Sequence, residues 1–152
     1  MVVQLQAANR ANSLKGKSCR TFIAPVDVRL PKRDEANEQV DTVVQPDVLV
    51  VCDGGKLDKR GVRGAPDWLV EVLSPSTASH DQIRKRALYE RHGVKEYWLV
   101  HPVDRLLTVY RLDGAEYGKP ELYELSGETR VAALPEIVIQ WDELVARLPN
   151  DY

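Results

Sequence analysis

Two short apolar runs, each interrupted by a single acid, constrain this chain more than any other feature. Pro46 to Cys52 reads PDVLVVC and carries Asp47, and Asp67 to Leu73 reads DWLVEVL and carries Glu71. Alternate residues of a strand share a face. Asp47, Leu49 and Val51 therefore point one way, and Val48, Val50 and Cys52 the other. In the second run Leu69, Glu71 and Leu73 oppose Trp68, Val70 and Val72. Both faces are apolar, so both runs read as central strands covered on two sides. A carboxylate in such a strand costs several kcal/mol unless a partner or a metal compensates it. Two such acids on neighbouring strands, with a lysine on the next helix, suggest a metal site.

The segments around this core read as follows. Met1 to Lys15 is expected to be helical, with Gly16 as its stop, and its abrupt start suggests that part of a longer N-terminal region is missing. Cys19 to Leu30 alternates as a strand, and Pro25 within it implies an edge position or a bulge. Pro31 to Asp41 is charged throughout and reads as a surface loop. Thr42 to Cys52 reads as one strand, ended by Asp53-Gly54-Gly55. Gly54 to Pro66 carries Lys56, Lys59, Arg60 and Arg63 against the single acid Asp58. That segment is either a solvated loop or a flexible arm whose cations neutralise phosphates without reading sequence.

Ser74-Pro75-Ser76-Thr77 breaks the second acidic strand and offers hydroxyl caps to a helix running to His92, with Gly93 at its end. Asp81, Lys85, Leu88, Tyr89 and His92 fall within an arc of about 100° on that helix. An exposed i,i+4 ion pair accounts for Asp81 and Lys85 by themselves, but the same pair aimed at Asp47 and Glu71 would be a site. Glu96 to Val100 and Arg105 to Leu112 read as a hairpin. Glu121 to Leu125 and Pro135 to Ile139 are strand candidates, and Trp141 to Leu148 a short packing helix.

The chain has 152 residues, enough for one domain with a sizeable core. Its net charge of -2 excludes a strongly basic nucleic-acid-coating protein, though not a local basic patch. No apolar run approaches the roughly 18 residues that cross a bilayer, and no secretory signal is evident. Cys19 and Cys52 are too few and too far apart in sequence to read as a disulfide framework, so Cys52 is expected to be a free, buried thiol. The cytoplasm is the default compartment. His80, His92 and His101 lack metal-ligand spacing. A phosphate-binding glycine loop, a G-x-S-x-G elbow and a CxxC pair are all absent, which removes several enzyme classes.

Pro46-Asp47, the run Glu71-Val72-Leu73-Ser74-Pro75-Ser76-Thr77, Asp81 with Lys85 and Tyr89, Gly93-Val94 and Glu96-Tyr97-Trp98 together resemble the Uma-two family. That family of prokaryotic proteins belongs to the PD-(D/E)XK restriction-endonuclease-like superfamily. The resemblance runs from about Pro46 to Leu112 and includes the last segment around Leu134 and Leu144. It implies an α/β restriction endonuclease-like fold, a central mixed β-sheet flanked by helices, over a single domain of residues 1–152. Asp47 matches the aspartate of the PD half and Glu71 the acid of the second half. The usual lysine two positions on is Leu73 here, and the family places that role on the helix, at Lys85. Asp81 matches a further position close to the site.

The chemistry implied is phosphodiester hydrolysis, with DNA as the substrate. Asp47 and Glu71 would hold Mg²⁺ or Mn²⁺, and a carbonyl from Val72 could complete the oxygen set. A metal there lowers the pKa of water and stabilises charge on phosphate oxygens. Lys85 would sit by the scissile phosphate, with Asp81 orienting it. Lys56, Lys59, Arg60 and Arg63 would contact the nucleic acid, and cutting both strands of a duplex suits a homodimer. Two other readings stay open. One is an inactive nucleic-acid- or protein-binding module on the same fold. The other is a hydrolase of RNA or of a different phosphate ester.

Overall fold

A computed structural model describes residues 18–74 and 79–148. The expected N-terminal helix and most of the Ser74–Thr77 cap lie outside the described residues. At the centre is a seven-stranded mixed sheet. Its order is β1 (Arg20–Ile23), β4 (Val48–Val51), β7 (Trp68–Val72), β8 (Glu96–His101), β9 (Leu106–Asp113) and β10 (Glu116–Tyr117), with β11 (Glu121–Glu124) also paired to β9. Only β7 and β8 are parallel. A parallel pair needs a long crossover, and α1 (Ser79–Arg91) supplies it. That helix stops at Gly93, where φ is +79° and the Val94 N–H donates to Tyr89 O while the Gly93 N–H donates to Glu90 O. These two bonds satisfy the last carbonyls in the way a left-handed residue permits.

A second, four-stranded sheet holds β2 (Val28–Arg29), β3 (Val43–Val44), β5 (Leu57–Asp58) and β6 (Gly61–Arg63) in the order β3-β2-β6-β5. β12 (Glu128–Arg130) and β13 (Val138–Gln140) make a hairpin, followed by α2 (Trp141–Ala146). The central sheet is covered on both faces, as its apolar runs imply. Val48, Val50, Trp68, Val70, Trp98 and Val100 pack beneath Ile137, Ile139, Trp141 and Leu144. Leu49, Val51, Leu69, Tyr97 and Leu99 pack against Leu88 and Tyr89 of α1 and against Val28, Leu30 and Val62 of the second sheet.

Three expectations are corrected here. The run Thr42 to Cys52 is two strands, β3 and β4, which lie in different sheets. Pro46 has no N–H to continue a ladder, so the chain breaks at Gln45-Pro46-Asp47 and Asp47 enters β4 from outside. Cys19 to Leu30 likewise splits, around the cis Ala24–Pro25 bond, into edge strand β1 and strand β2. Cys52 is not a free thiol but is joined to Cys19 in a disulfide. Their sequence separation of 33 mattered less than the ladder, in which Arg20 faces Val51 and the two cysteines therefore come opposite each other. Closing such a loop contributes about 3–4 kcal/mol on the chain-entropy model.

Glu96 is a buried acid that the strand pattern does not single out. It is 1% exposed on the face opposite α1. Its carboxylate accepts from Trp98 Nε1 at 2.6 Å, from Ala133 N at 3.1 Å and from Ala132 N at 3.3 Å. Burial pushes its carboxyl above the usual range, and these donors with Arg111 oppose the shift. Fastened this way, Glu96 ties the segment before β13 to the sheet. Glu96→Gln keeps only one oxygen for these donors and should cost about 1–3 kcal/mol. Chemical denaturation would read this as a lower midpoint, and an unchanged midpoint would show the ties to be dispensable.

Candidate active site

The antiparallel register pairs Val48 of β4 with Val70 of β7, so the next position along puts Asp47 opposite Glu71. The break at Pro46 leaves Asp47 half-buried, and its Oδ2 accepts the Val72 N–H at 2.7 Å. One acid is thus fixed by the backbone beside the other. Glu71 is 7% exposed. Its Oε1 accepts from Tyr89 Oη at 2.6 Å and lies 3.5 Å from Lys85 Nζ. Lys85 Nζ is also 3.6 Å from Asp81 Oδ2, one turn earlier on α1. The helical stripe of Asp81, Lys85 and Tyr89 does face the acids on the strands.

These groups open onto one cavity of about 530 Å³. Asp47, Glu71, Val72, Asp81 and Lys85 all line it, joined by Gln45, Gln82 and Tyr97. Tyr89 has the most direct contact with Glu71, yet its sequence position marked it only as part of the stripe. Its spacing of four residues from Lys85 was the available signal. Burial also holds the Tyr89 hydroxyl well above the usual tyrosine range, and the neighbouring Glu71 adds to the shift. The hydroxyl therefore stays protonated as a donor.

The four basic residues of the Gly54–Pro66 segment do not line this cavity. Their segment is a short 3-10 turn followed by the β5–β6 hairpin of the second sheet. Lys56 Nζ donates to Ala65 O at 2.8 Å. Arg63 donates to Asn37 Oδ1 at 2.9 Å and also to Glu35 O, fastening the 31–41 loop. Arg60 lies 3.6 Å from Glu38, and Lys59 is exposed on the turn.

Burial pushes the Glu71 carboxyl above an ordinary value of 4.5; Tyr89 and Lys85 oppose this and Asp47 reinforces it. The folded chain therefore holds this proton more tightly than the unfolded chain does. The stability so contributed is complete below about pH 4.5 and is lost as pH rises through the folded value. Glu71→Gln carries no such charge and still offers Tyr89 an acceptor. Without divalent metal, this variant is expected to be more stable than the wild type at neutral pH, and the gap should close toward pH 4.5. Urea midpoints across that range would test it, and a gap that widens on acidification would contradict it.

The chain thus forms a mixed α/β fold, a central multi-stranded mixed sheet with few helices. A crystal structure of "a putative nuclease belonging to DUF820 from Anabaena variabilis ATCC 29413" is similar to it, with a TM-score of 0.72 and 18% identity over 95% of this chain and 78% of that one. The Uma2 family model, described as "Putative restriction endonuclease", matches residues 2–142, and the chain belongs to that family. No curated protein matches the chain. Family membership supports a nuclease function at this general level.

Proposed function

We propose that the protein is a divalent-metal-dependent nuclease of the PD-(D/E)XK type that hydrolyses phosphodiester bonds in DNA. The observation that carries this reading is the convergence of Asp47, Glu71 and Lys85 on one cavity, with Lys85 Nζ 3.5 Å from Glu71. Among the described residues no three of His, Cys, Asp and Glu form a metal cluster. The groups that would hold a metal are instead the two carboxylates, with the Val72 carbonyl and water, a hard-oxygen set that fits Mg²⁺ or Mn²⁺ and not a softer metal. A buried carboxylate that resists ionising, as Glu71 does, is the kind of group a bound cation compensates. Such a cation supplies Lewis-acid stabilisation of phosphate charge.

The chain's own groups do the rest. The Val72 N–H holds Asp47 in one orientation, and Tyr89 holds Glu71. Lys85 donates to the developing negative charge on the scissile phosphate, where a preorganised cation in a partly dry site is worth most. Asp81 keeps the ammonium aimed along the cavity wall. The exposed Lys59 and Arg60 at the β5–β6 turn are proposed as outlying phosphate contacts, whereas Lys56 and Arg63 at its base donate within the protein. The proposed setting is the cytoplasm, with a homodimer able to cut both strands. No helix among the described residues is long and apolar enough to cross a membrane.

Calorimetric titration of Mn²⁺ into the wild type and into Asp47→Ala/Glu71→Ala tests the reading. Heat of binding in the wild type that is lost in the folded double variant is the expected result. A folded wild type that takes up no Mn²⁺ would overturn the nuclease reading and favour a binding module on the same fold.

A further inference from the structure

A second cavity, of about 450 Å³, lies beside the first and shares Gln45, Asp81 and Lys85 with it. The shared residues form a ridge. On one side of it α1 contributes Gln82 to the first cavity; on the other it contributes Arg84 and Leu88 to the second. The opposite wall of the second cavity is the segment Asp41–Gln45, which includes β3, an edge strand of the four-stranded sheet. Val43 on that strand is 48% exposed. The two cavities therefore adjoin along α1, one on each side of these three residues. From Asp81 to Leu88 the helix advances about 10 Å.

The charges in the second cavity are unevenly committed. Asp41 pairs with Lys32 at 3.1 Å, and Asp81 pairs with Lys85 at 3.6 Å. Arg84 is exposed and makes no hydrogen bond or ion pair among the described residues. A guanidinium with no partner among the described residues, lining a cavity one residue from Lys85, can meet an anion that arrives with the substrate. Its planar fork matches a phosphate better than an ammonium does. An exposed valine opposite offers apolar contact to a sugar or base. This contrasts with Lys56 and Arg63, whose donors are spent inside the protein.

Resting on the nuclease reading above, we propose that the second cavity is a substrate subsite. It holds the nucleotide adjoining the scissile phosphate, and Arg84 is the binding residue for that nucleotide's phosphate. A strand lying across both cavities places one phosphate at Lys85 and the neighbouring one at Arg84, on the two sides of the ridge. The occupant is a single strand, or one strand of an opened duplex, because the second cavity is bounded on both sides by α1 and the β3 segment.

Binding of a short fluorescein-labelled single-stranded deoxyoligonucleotide to the full chain, followed by anisotropy over a series of salt concentrations, tests this. Arg84→Ala is expected to weaken binding about 10-fold at low salt. It should also reduce the slope of log affinity against log salt by about 0.7, the value for one phosphate on a single strand. Arg84→Lys should keep the slope and recover part of the affinity. Calorimetric Mn²⁺ uptake should be unchanged in both variants, because Arg84 does not line the first cavity. Unchanged affinity and slope in Arg84→Ala, with Mn²⁺ uptake intact, would overturn the subsite and leave the nuclease reading standing. Failure of the wild type to bind either Mn²⁺ or oligonucleotide would bring down both.

Discussion

Lys85→Ala is expected to lower metal-dependent DNA cleavage about 100- to 1,000-fold, the range seen when one preorganised donor to a developing oxyanion is removed. The loss should fall on kcat and not on KM, because the ammonium is proposed to act on charge that appears only in the transition state. Lys85 is part-exposed and its ion pairs with Glu71 and Asp81 are 3.5 and 3.6 Å long, so its removal should leave the fold intact. Mn²⁺ binding in calorimetry should persist, since both carboxylates remain. Lys85→Arg should restore little, because a planar, delocalised fork places its charge differently from a compact ammonium. Steady-state cleavage of a plasmid or oligonucleotide by the three proteins gives the answer. Cleavage by the alanine variant at the wild-type rate would remove Lys85 from the mechanism.

Trp98→Ala is expected to cost about 3–5 kcal/mol, the range for emptying a buried tryptophan site. Trp98 is fully buried in the middle strand of the sheet, edge-on to Trp68 at 5.2 Å between ring centroids and 6.2 Å from Trp141. It therefore joins the sheet to the C-terminal helix. Its indole N–H also donates to Glu96, so the substitution opens a cavity and removes a donor from a buried carboxylate. For a chain of this size the melting temperature should fall on the order of 10 °C or more. Calorimetric scanning of the variant would show it. A fall of only a degree or two would mean that the C-terminal layer is coupled weakly to the sheet.

The same two strands show how far local pattern carries. Alternation along Val48–Val51 and Trp68–Val72 placed each side chain on the face it occupies, because the pleat depends only on position parity. The cost of burying an acid flagged Asp47 and Glu71 without any partner in view. Periodicity along α1 put Asp81, Lys85 and Tyr89 on one stripe, and Gly93 marked the stop. Pro46 was legible too, but it was read through: the strand was extended across a residue that cannot donate to a ladder. Glu96 was marked as part of the resemblance but not as a buried acid, because it sits at the start of a strand, where an acid can face solvent. The basic segment looked like a loop because β5 and β6 are very short, and the pairing of β6 with β2 brings together residues as distant as Val28 and Val62.

What the sequence determined by itself was therefore a set of local facts: which faces are apolar, which acids are out of place, and where the helix lies and ends. These follow from periodicities of two and 3.6 residues and from the energetic cost of a buried charge. Only the tertiary structure decided which of the marked residues meet. It set Asp47 on the Val72 N–H, put the Tyr89 hydroxyl on Glu71, joined Cys19 to Cys52 and spent Arg63 on the 31–41 loop. Each of those contacts links segments far apart in the chain. Their geometry is set by strand register and by the packing of α1 across the sheet, neither of which is encoded in any one stretch of residues.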